Sequence, residues 1–470
     1  MINLDGLSIM TSQAENFEAR GVLTGRLRVE LYGWAVIAAG SLAGAGALAL
    51  LLVLSRVPAT QVLLPWSWQS FFYTALVTHV ILSFLVWFLA VLGALSVLAL
   101  GAGGGLRLGW LGLPGMVAAA LGSVLLVLPA LLNSGEPSLN NYVPIIDHPL
   151  YYFGLGLVAL GVALPVVRLL ANLPQIAGGA GLGVAVSGIC FLISLVCFGL
   201  AWLSLPAGLD FQTLSERLFW GGGHVLQFVN VALLLTVWTI LAERVLGVAP
   251  LPPRLFRLVM AALVIFALPG PVFYYLFDVL GLEHRLAFTD LLWYGLTVPP
   301  LVVGTGLSSL LVRRRADLDP WSPAVLGMVL SLVLMVVGGG MGFFLGASDA
   351  RTPSHYHASI GAVNIAFMAL FLSVVLPALG RPVRENWTCW MQFHCYGWGQ
   401  LVFSIGMFVA GAAGVPRKTM GAAAQGVDSM LKKIAMGVYG LGGALAVLGG
   451  VLFVWVVLSR LCGRGGHHDD

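Results

Sequence analysis

Charge is what this sequence has least of. Asp, Glu, Lys and Arg together make up 9% of its 470 residues, against about 25% in an ordinary soluble chain. That excludes a protein whose surface lies mainly in water. The 23 basic and 19 acidic residues leave a formal net charge of +4. The basic residues are spread thinly over candidate loops, so nothing here is a nucleic-acid footprint. Cysteine is scarce too. Cys190, Cys197, Cys389, Cys395 and Cys462 form no C-x-x-C pair, and no C-x-x-C-H occurs. Covalent c-type haem attachment is thereby excluded, and no dinuclear copper module is evident. Cys190 and Cys197 read as apolar helix residues. Cys389 and Cys395 flank His394 in what reads as a short loop, where packing outweighs a metal site. Residues 1–30 carry mixed charge without an apolar core. No signal peptide is expected, and insertion should rely on the first spanning helix. No polar stretch is long enough to fold as a separate soluble domain.

What is there is apolar length. Hydrophobic residues make up 59% of the chain, and they gather into runs long enough to cross roughly 30 Å of hydrocarbon. Twelve spans are expected near residues 33–55, 69–99, 111–132, 151–171, 182–205, 219–243, 256–280, 287–311, 323–346, 354–378, 396–415 and 432–458. The fold class is therefore all-α and polytopic. One membrane domain is expected over 33–458, between a cytoplasmic segment 1–32 and a cytoplasmic tail 459–470. The stretches GAGGGLRLGWLGLPG (101–115) and GGAGLG (178–183) read as turns. With the N-terminus inside, fifteen Lys and Arg fall in inner segments and eight in outer ones. The positive-inside rule then puts both termini in the cytoplasm, and a prokaryotic inner membrane is the expected location. Four of the eight outer ones, Arg417, Lys418, Lys432 and Lys433, share one loop.

Ionisable side chains at membrane depth cost free energy unless they have a partner or a task. His79, His224, His284, His355 and His357 lie in or beside the expected spans. His79, His224, His355 and His357 fall in the outer halves of helices 2, 6 and 10 under the topology above. Each alone reads equally well as a hydrogen-bonded residue in a bundle. Four at one depth point to joint ligation of a cofactor such as haem. In Ser354-His355-Tyr356-His357-Ala358-Ser359 the two histidines are two residues apart, so on a helix they face different directions. One turn can then serve two separate ligands. Arg417 and Lys418 lie at the same end, where guanidinium and ammonium groups suit anionic haem propionates better than a headgroup anchor alone.

These motifs resemble the haem-copper oxidase superfamily, subunit I, over most of the chain. SHYHAS resembles the helix 10 motif, which implies His355 on a high-spin haem iron and His357 on a low-spin one. His79 is similar to the helix 2 histidine on the other face of the low-spin haem. Trp220-Gly221-Gly222-Gly223-His224 resembles the helix 6 motif, which implies His224 as a ligand of copper or non-haem iron. LVFSIGMFVAGAAGVPRK resembles helix 11 and its basic tail. The resemblance implies two haems, of b, a or o type, and a small gaseous ligand, O2 or NO. Two departures stand out. Tyr274 and Tyr275 occupy the place of the helix 7 histidine pair, with His284 close enough to reach back. Phe228 stands where several oxidases carry a tyrosine. Neutral tyrosines are poor copper ligands, so the copper or non-haem iron site is expected to be degenerate or lost.

Two readings follow. In one, the chain passes electrons through a low-spin haem to a high-spin haem without a non-haem metal. In the other, it is a terminal reductase of O2 or NO using His224, His284 and a tyrosine. Electrons are expected from a partner subunit with a cytochrome c or cupredoxin-like domain, or from quinol. The loop LNNYVPIIDHPLYY (139–152) is expected to cover a cofactor edge or dock that partner, with His148 an ordinary loop residue. The hydroxyls of Thr289 and Thr297 suit a polar track or bonds to their own helix equally well. A transporter would show repeats and broken midplane helices, which the two halves lack. A purely structural subunit would not need open-face histidines.

Overall fold

The computed structural model describes residues 22–54, 68–101, 107–176, 178–346, 348–417 and 426–463. Residues 1–21, Lys418 and residues 464–470 lie outside them, so the expectations placed there are not addressed by the structure. Twelve described helices are long and apolar enough to cross a membrane: α1 Gly25–Leu52, α2 Phe71–Leu100, α3 Gly109–Leu131, α4 Pro149–Ala171, α5 Gly178–Ser204, α6 Phe211–Leu246, α7 Pro253–Leu276, α8 Leu282–Arg313, α9 Pro323–Gly342, α10 Arg351–Ala378, α11 Trp387–Ala412 and α12 Met430–Cys462. The all-α, twelve-span expectation is met. A short hairpin, β1 Glu136–Ser138 and β2 Ile145–Asp147, precedes α4. Its strands pair antiparallel, with Glu136 opposite Asp147 and Ser138 opposite Ile145.

The chain divides into two compact units. The first comprises Met1–Glu243 and Val248–Ser309, and the second Arg244–Gly247 and Leu310–Asp470. Helix α6 is almost wholly buried along its apolar stretch, and α2 and α10 are largely so. In lipid, helices that carry ionisable side chains turn them to the protein interior. These three are the helices that carry His79, His224, His355 and His357.

Close helix crossings rest on small residues, as packing in lipid requires. In the first unit Gly115 of α3 meets the backbone of Gly161 of α4, and Gly122 meets Gly154. In the second, Gly399 and Gly406 of α11 abut the backbone of α12 at Ala446 and Tyr439. Gly442 and Gly449 of α12 abut α11 at Phe403 and Tyr396.

Several local expectations are corrected. GGAGLG (178–183) is helix, the first turns of α5, because Gly183 must lie against Thr236 of α6 rather than bend the chain. Gly109 to Gly115 are likewise helical and open α3, while residues 102–106 lie outside the described residues. Cys389, His394 and Cys395 are not in a loop. The Asn386 side chain accepts from the Cys389 amide, capping α11 nine residues earlier than the apolar run begins. Helix α6 starts at Phe211, so Glu216 lies within it. His148 does stay in the loop, as expected, and there it caps α4, its Nδ1 accepting from the Leu150 amide at 3.2 Å.

One buried ion pair pins the first unit at an end of α1. Glu30 Oε2 accepts from Arg168 Nη2 at 2.6 Å, with side chains 0% and 1% exposed. Glu30 Oε1 also accepts from the half-exposed Arg26 at 3.0 Å. The Asn172 amide group bonds the Arg107 amide, the Arg107 carbonyl and the Arg168 carbonyl. Gly112 passes directly over the pair, where a Cβ would meet both Arg168 and Glu30.

Candidate functional site: pinned histidines in two units

In the first unit, α6 is stripped of side chains for one turn at Gly221, Gly222 and Gly223. Four neighbours fill the space. A Cβ at Gly221 would meet the Tyr274 hydroxyl and the Phe288 ring, one at Gly222 the Phe198 ring, and one at Gly223 the Tyr142 side chain. The WGGGH motif is thus a bare collar that admits aromatic rings from several elements to the helix just before His224.

His224 is 1% exposed. Its Nδ1 lies 2.7 Å from the Trp220 carbonyl, so this nitrogen carries the proton. Its Nε2 therefore accepts, and the Tyr142 hydroxyl donates to it at 2.9 Å. The Tyr142 and Trp220 rings lie 4.3 and 4.6 Å from the imidazole, centre to centre. Burial and the negative charge of Glu216 push the Tyr142 phenol well above the usual tyrosine range, so it stays protonated and able to donate. Arg285 stacks over Trp220, its guanidinium carbon 4.6 Å from the ring centre.

Tyr274 and His284 share this pocket. Their rings lie 4.8 Å apart, with Phe288 5.0 Å from His284 and 5.8 Å from His224. Both His284 nitrogens and the Tyr274 hydroxyl are buried without a hydrogen-bond partner among the described residues. Such groups are rare and call for a polar occupant. Tyr275 is a correction. It is 78% exposed, on the outward face of its helix, and does not line the pocket. Consecutive helix residues point about 100° apart, so only one of the two tyrosines can face inward. Phe228, one turn beyond His224, is fully buried against Gly295. Thr289 and Thr297 bond the Arg285 and Trp293 carbonyls of their own helix.

His79 stands elsewhere in the first unit. Its Nδ1 lies 2.8 Å from the Ala45 carbonyl of α1. Ser83 Oγ donates to the His79 carbonyl at 2.8 Å, in a π-helical turn over Ile81–Val86. Such turns often mark functional sites in helices.

In the second unit, His355 and His357 diverge as their spacing predicts. His355 packs on α9, its Nδ1 2.7 Å from the Gly338 carbonyl. His357 packs on α11, its ring 4.9 Å from Phe403. The run Gly338-Gly339-Gly340-Met341-Gly342 gives His355 its place. A Cβ on Gly342 would lie 3.0 Å from the His355 Cε1. Gly342→Val is therefore expected to swing the ring off the Gly338 carbonyl. If His355 holds an iron, affinity should fall within the range typical of lost outer-shell support, about 10–100-fold. Cofactor retention during dilution measures it, and wild-type retention would show that the glycine does not position the ring.

Beside these histidines, the chain before α10 pairs with the chain after α11. The Ala350 amide donates to the Val415 carbonyl and the Arg417 amide to the Ser348 carbonyl. Arg351 grips Asp349 through Nε and Nη2, the shortest contact 2.8 Å. Arg351 above all, with Arg417 adding to it, holds the Asp349 carboxyl below the usual range.

The residue chemistry fits haem at His79 and His355. An iron-ligating imidazole needs a neutral ring whose second N–H is anchored, leaving Nε2 for the metal. Both rings have that arrangement, and neither Nε2 has a hydrogen-bond partner among the described residues. The chemistry does not fit a three-histidine metal centre. No group of three His, Cys, Asp or Glu side chains suited to a metal ion occurs among the described residues, and both His224 nitrogens are engaged. Sequence reasoning missed Tyr142, Phe288 and Arg351. Only the polar-aromatic character of residues 139–152 hinted at the first.

No family model matches the sequence. An uncharacterised protein of Aquifex aeolicus (strain VF5) is 29% identical over 346 residues, covering 70% of this chain and 80% of its own. An uncharacterised protein of Rickettsia prowazekii (strain Madrid E) is 25% identical over 377 residues, covering 69% and 70%. Among solved structures, a chain from the cryo-EM structure of a heme-copper terminal oxidase dimer superposes with a TM-score of 0.73. The match covers 95% of this chain and 86% of that one, at 19% identity. The fold is that of a heme-copper oxidase subunit.

Proposed function

We propose that this chain is a haem-binding electron-transfer subunit of a respiratory membrane complex, a divergent relative of haem-copper oxidase subunit I. The observation that carries the reading is the common pinning of His79 and His355. Each ring is fixed through Nδ1 by a carbonyl of a neighbouring helix, at 2.8 and 2.7 Å. An imidazole held only for packing does not need its second nitrogen kept clear.

His79 and His357 are assigned to a low-spin haem and His355 to a high-spin one, on the motif resemblance. Bound haem would supply one-electron transfer and, at an open face, a place for a diatomic ligand. The chain's own residues hold and surround it. Arg417 and Arg351 offer guanidinium groups for propionates, and Lys418 adds a further charge on sequence grounds. The unpartnered Tyr274 hydroxyl and His284 nitrogens support a pocket that takes a small polar molecule. The electron donor is assigned to a partner subunit with a cytochrome c or cupredoxin-like domain, or to quinol. The positive-inside count supports cytoplasmic termini, and the chain is assigned to a prokaryotic inner membrane on the motif resemblance.

The test is a pyridine haemochrome assay on the purified complex, with iron and copper measured in the same sample. Two haems per chain are expected. Absence of haem bands from a folded, monodisperse preparation would reject the reading in favour of a transport or structural role.

A further inference from the structure

We infer that Tyr142 takes the place of a metal ion at His224: the phenol is this histidine's resident partner, and the pocket works without a non-haem metal. The inference rests on the haem reading only in giving His224 a cofactor-bearing neighbourhood, and it adds a residue that no helix motif contains.

The first argument is tautomeric. Nδ1 of His224 must carry the ring proton because it faces the Trp220 carbonyl at 2.7 Å. Only Nε2 is then available as a donor to a metal, and the Tyr142 hydroxyl already occupies it at 2.9 Å. A metal would have to expel a buried phenol to reach one imidazole. The neighbours that would repay such an exchange are missing among the described residues, since Tyr274 is a neutral phenol and His284 is the only other imidazole in this pocket.

The second argument is that Tyr142 is built in place. Asn140 Oδ1 accepts from the amides of Tyr142 and Val143, fixing the turn between β1 and β2. Three side-chain bonds then fasten this hairpin to α6, the helix that bears His224. Ser138 Oγ meets Ser215 Oγ at 2.6 Å, Gln212 donates to Glu136 at 2.8 Å, and Asn141 donates to Glu216 at 2.8 Å. The bonds between hairpin and α6 therefore hold the phenol beside the imidazole.

The third argument is Gly223. Its missing Cβ is where the Tyr142 side chain lies. The last glycine of WGGGH thus makes room for the phenol.

The experiment uses the full chain in its purified complex, as wild type, Tyr142→Phe, His224→Gln, the double variant and Gly223→Ala. Copper, zinc and total iron are measured, haem is counted by haemochrome, and thermal midpoints are recorded. Wild type is expected to hold no metal beyond haem iron, and His224→Gln should leave the metal content unchanged. The midpoint shifts of Tyr142→Phe and His224→Gln should be non-additive, with the double variant no less stable than the worse single one. Gly223→Ala should lower the midpoint by more than Tyr142→Phe, because its added Cβ meets the Tyr142 Cβ and Cγ as well as displacing the hydroxyl, and wild-type stability would show that the glycine does not make room for the ring. A stoichiometric metal lost in His224→Gln would overturn the inference, as would additive shifts. Haem-free protein with coupled shifts would sink the haem reading alone. Haem-replete protein with a His224-dependent metal would sink this inference alone.

Discussion

Replacing His355 with alanine is expected to cut the haem content of the purified complex from two per chain to one. The imidazole supplies the protein's bond to the high-spin iron in our assignment, and its loss leaves no nearby donor of the same kind. His357 cannot substitute. It leaves the helix in another direction and packs on α11 beside Phe403, while His355 packs on α9. The remaining spectrum should be that of a six-coordinate low-spin haem, since His79 and His357 are untouched. Free imidazole should restore part of the lost absorbance by filling the space that the His355 ring vacates. A merely structural role would not allow that rescue. Conversely, His79→Ala and His357→Ala should each remove the low-spin signal. An unchanged spectrum in His355→Ala would show that this residue holds no iron.

The second large effect concerns stability. Removing one member of a buried ion pair typically costs about 3–5 kcal/mol, because the other charge is left without compensation. Glu30 and Arg168 are such a pair, at 0% and 1% exposure. The two single substitutions should differ. Arg168→Ala leaves Glu30 still bonded to Arg26 at 3.0 Å, so the cost should lie at the lower end. Glu30→Ala leaves Arg168 buried with, among the described residues, the Gly109 carbonyl and Glu30's vacated space, so it should lie at the upper end. Arg26→Ala removes a half-exposed partner and should cost no more than about 1 kcal/mol. Replacing the pair together, as Glu30→Leu with Arg168→Met, should recover most of the loss. Thermal unfolding in detergent would measure all four. Equal losses from Glu30→Ala and Arg26→Ala would mean that burial does not set the energetics here.

Much of this protein is written in single stretches of sequence. Twelve apolar runs give twelve spans because a helix must satisfy its own backbone in lipid, so composition and length suffice. The divergence of His355 and His357 follows from helical geometry over two residues. Helix boundaries are less local. Asn386 starts α11 inside a stretch whose charge and cysteines read as a loop, because one side-chain oxygen on one amide outweighs local polarity. GGAGLG reads as a turn because glycine is flexible, yet it is helix because Thr236 needs the room.

What the sequence alone determined was the class of the protein, its helices, and the histidines worth watching. Those depend on periodicity and composition, which are local. What only the tertiary structure decided was the partner of each nitrogen. The Ala45 and Gly338 carbonyls, the Tyr142 phenol and the outward turn of Tyr275 come from elements far apart in the chain. A hydrogen bond is set by distance and angle between such elements, and neither is carried by any one segment.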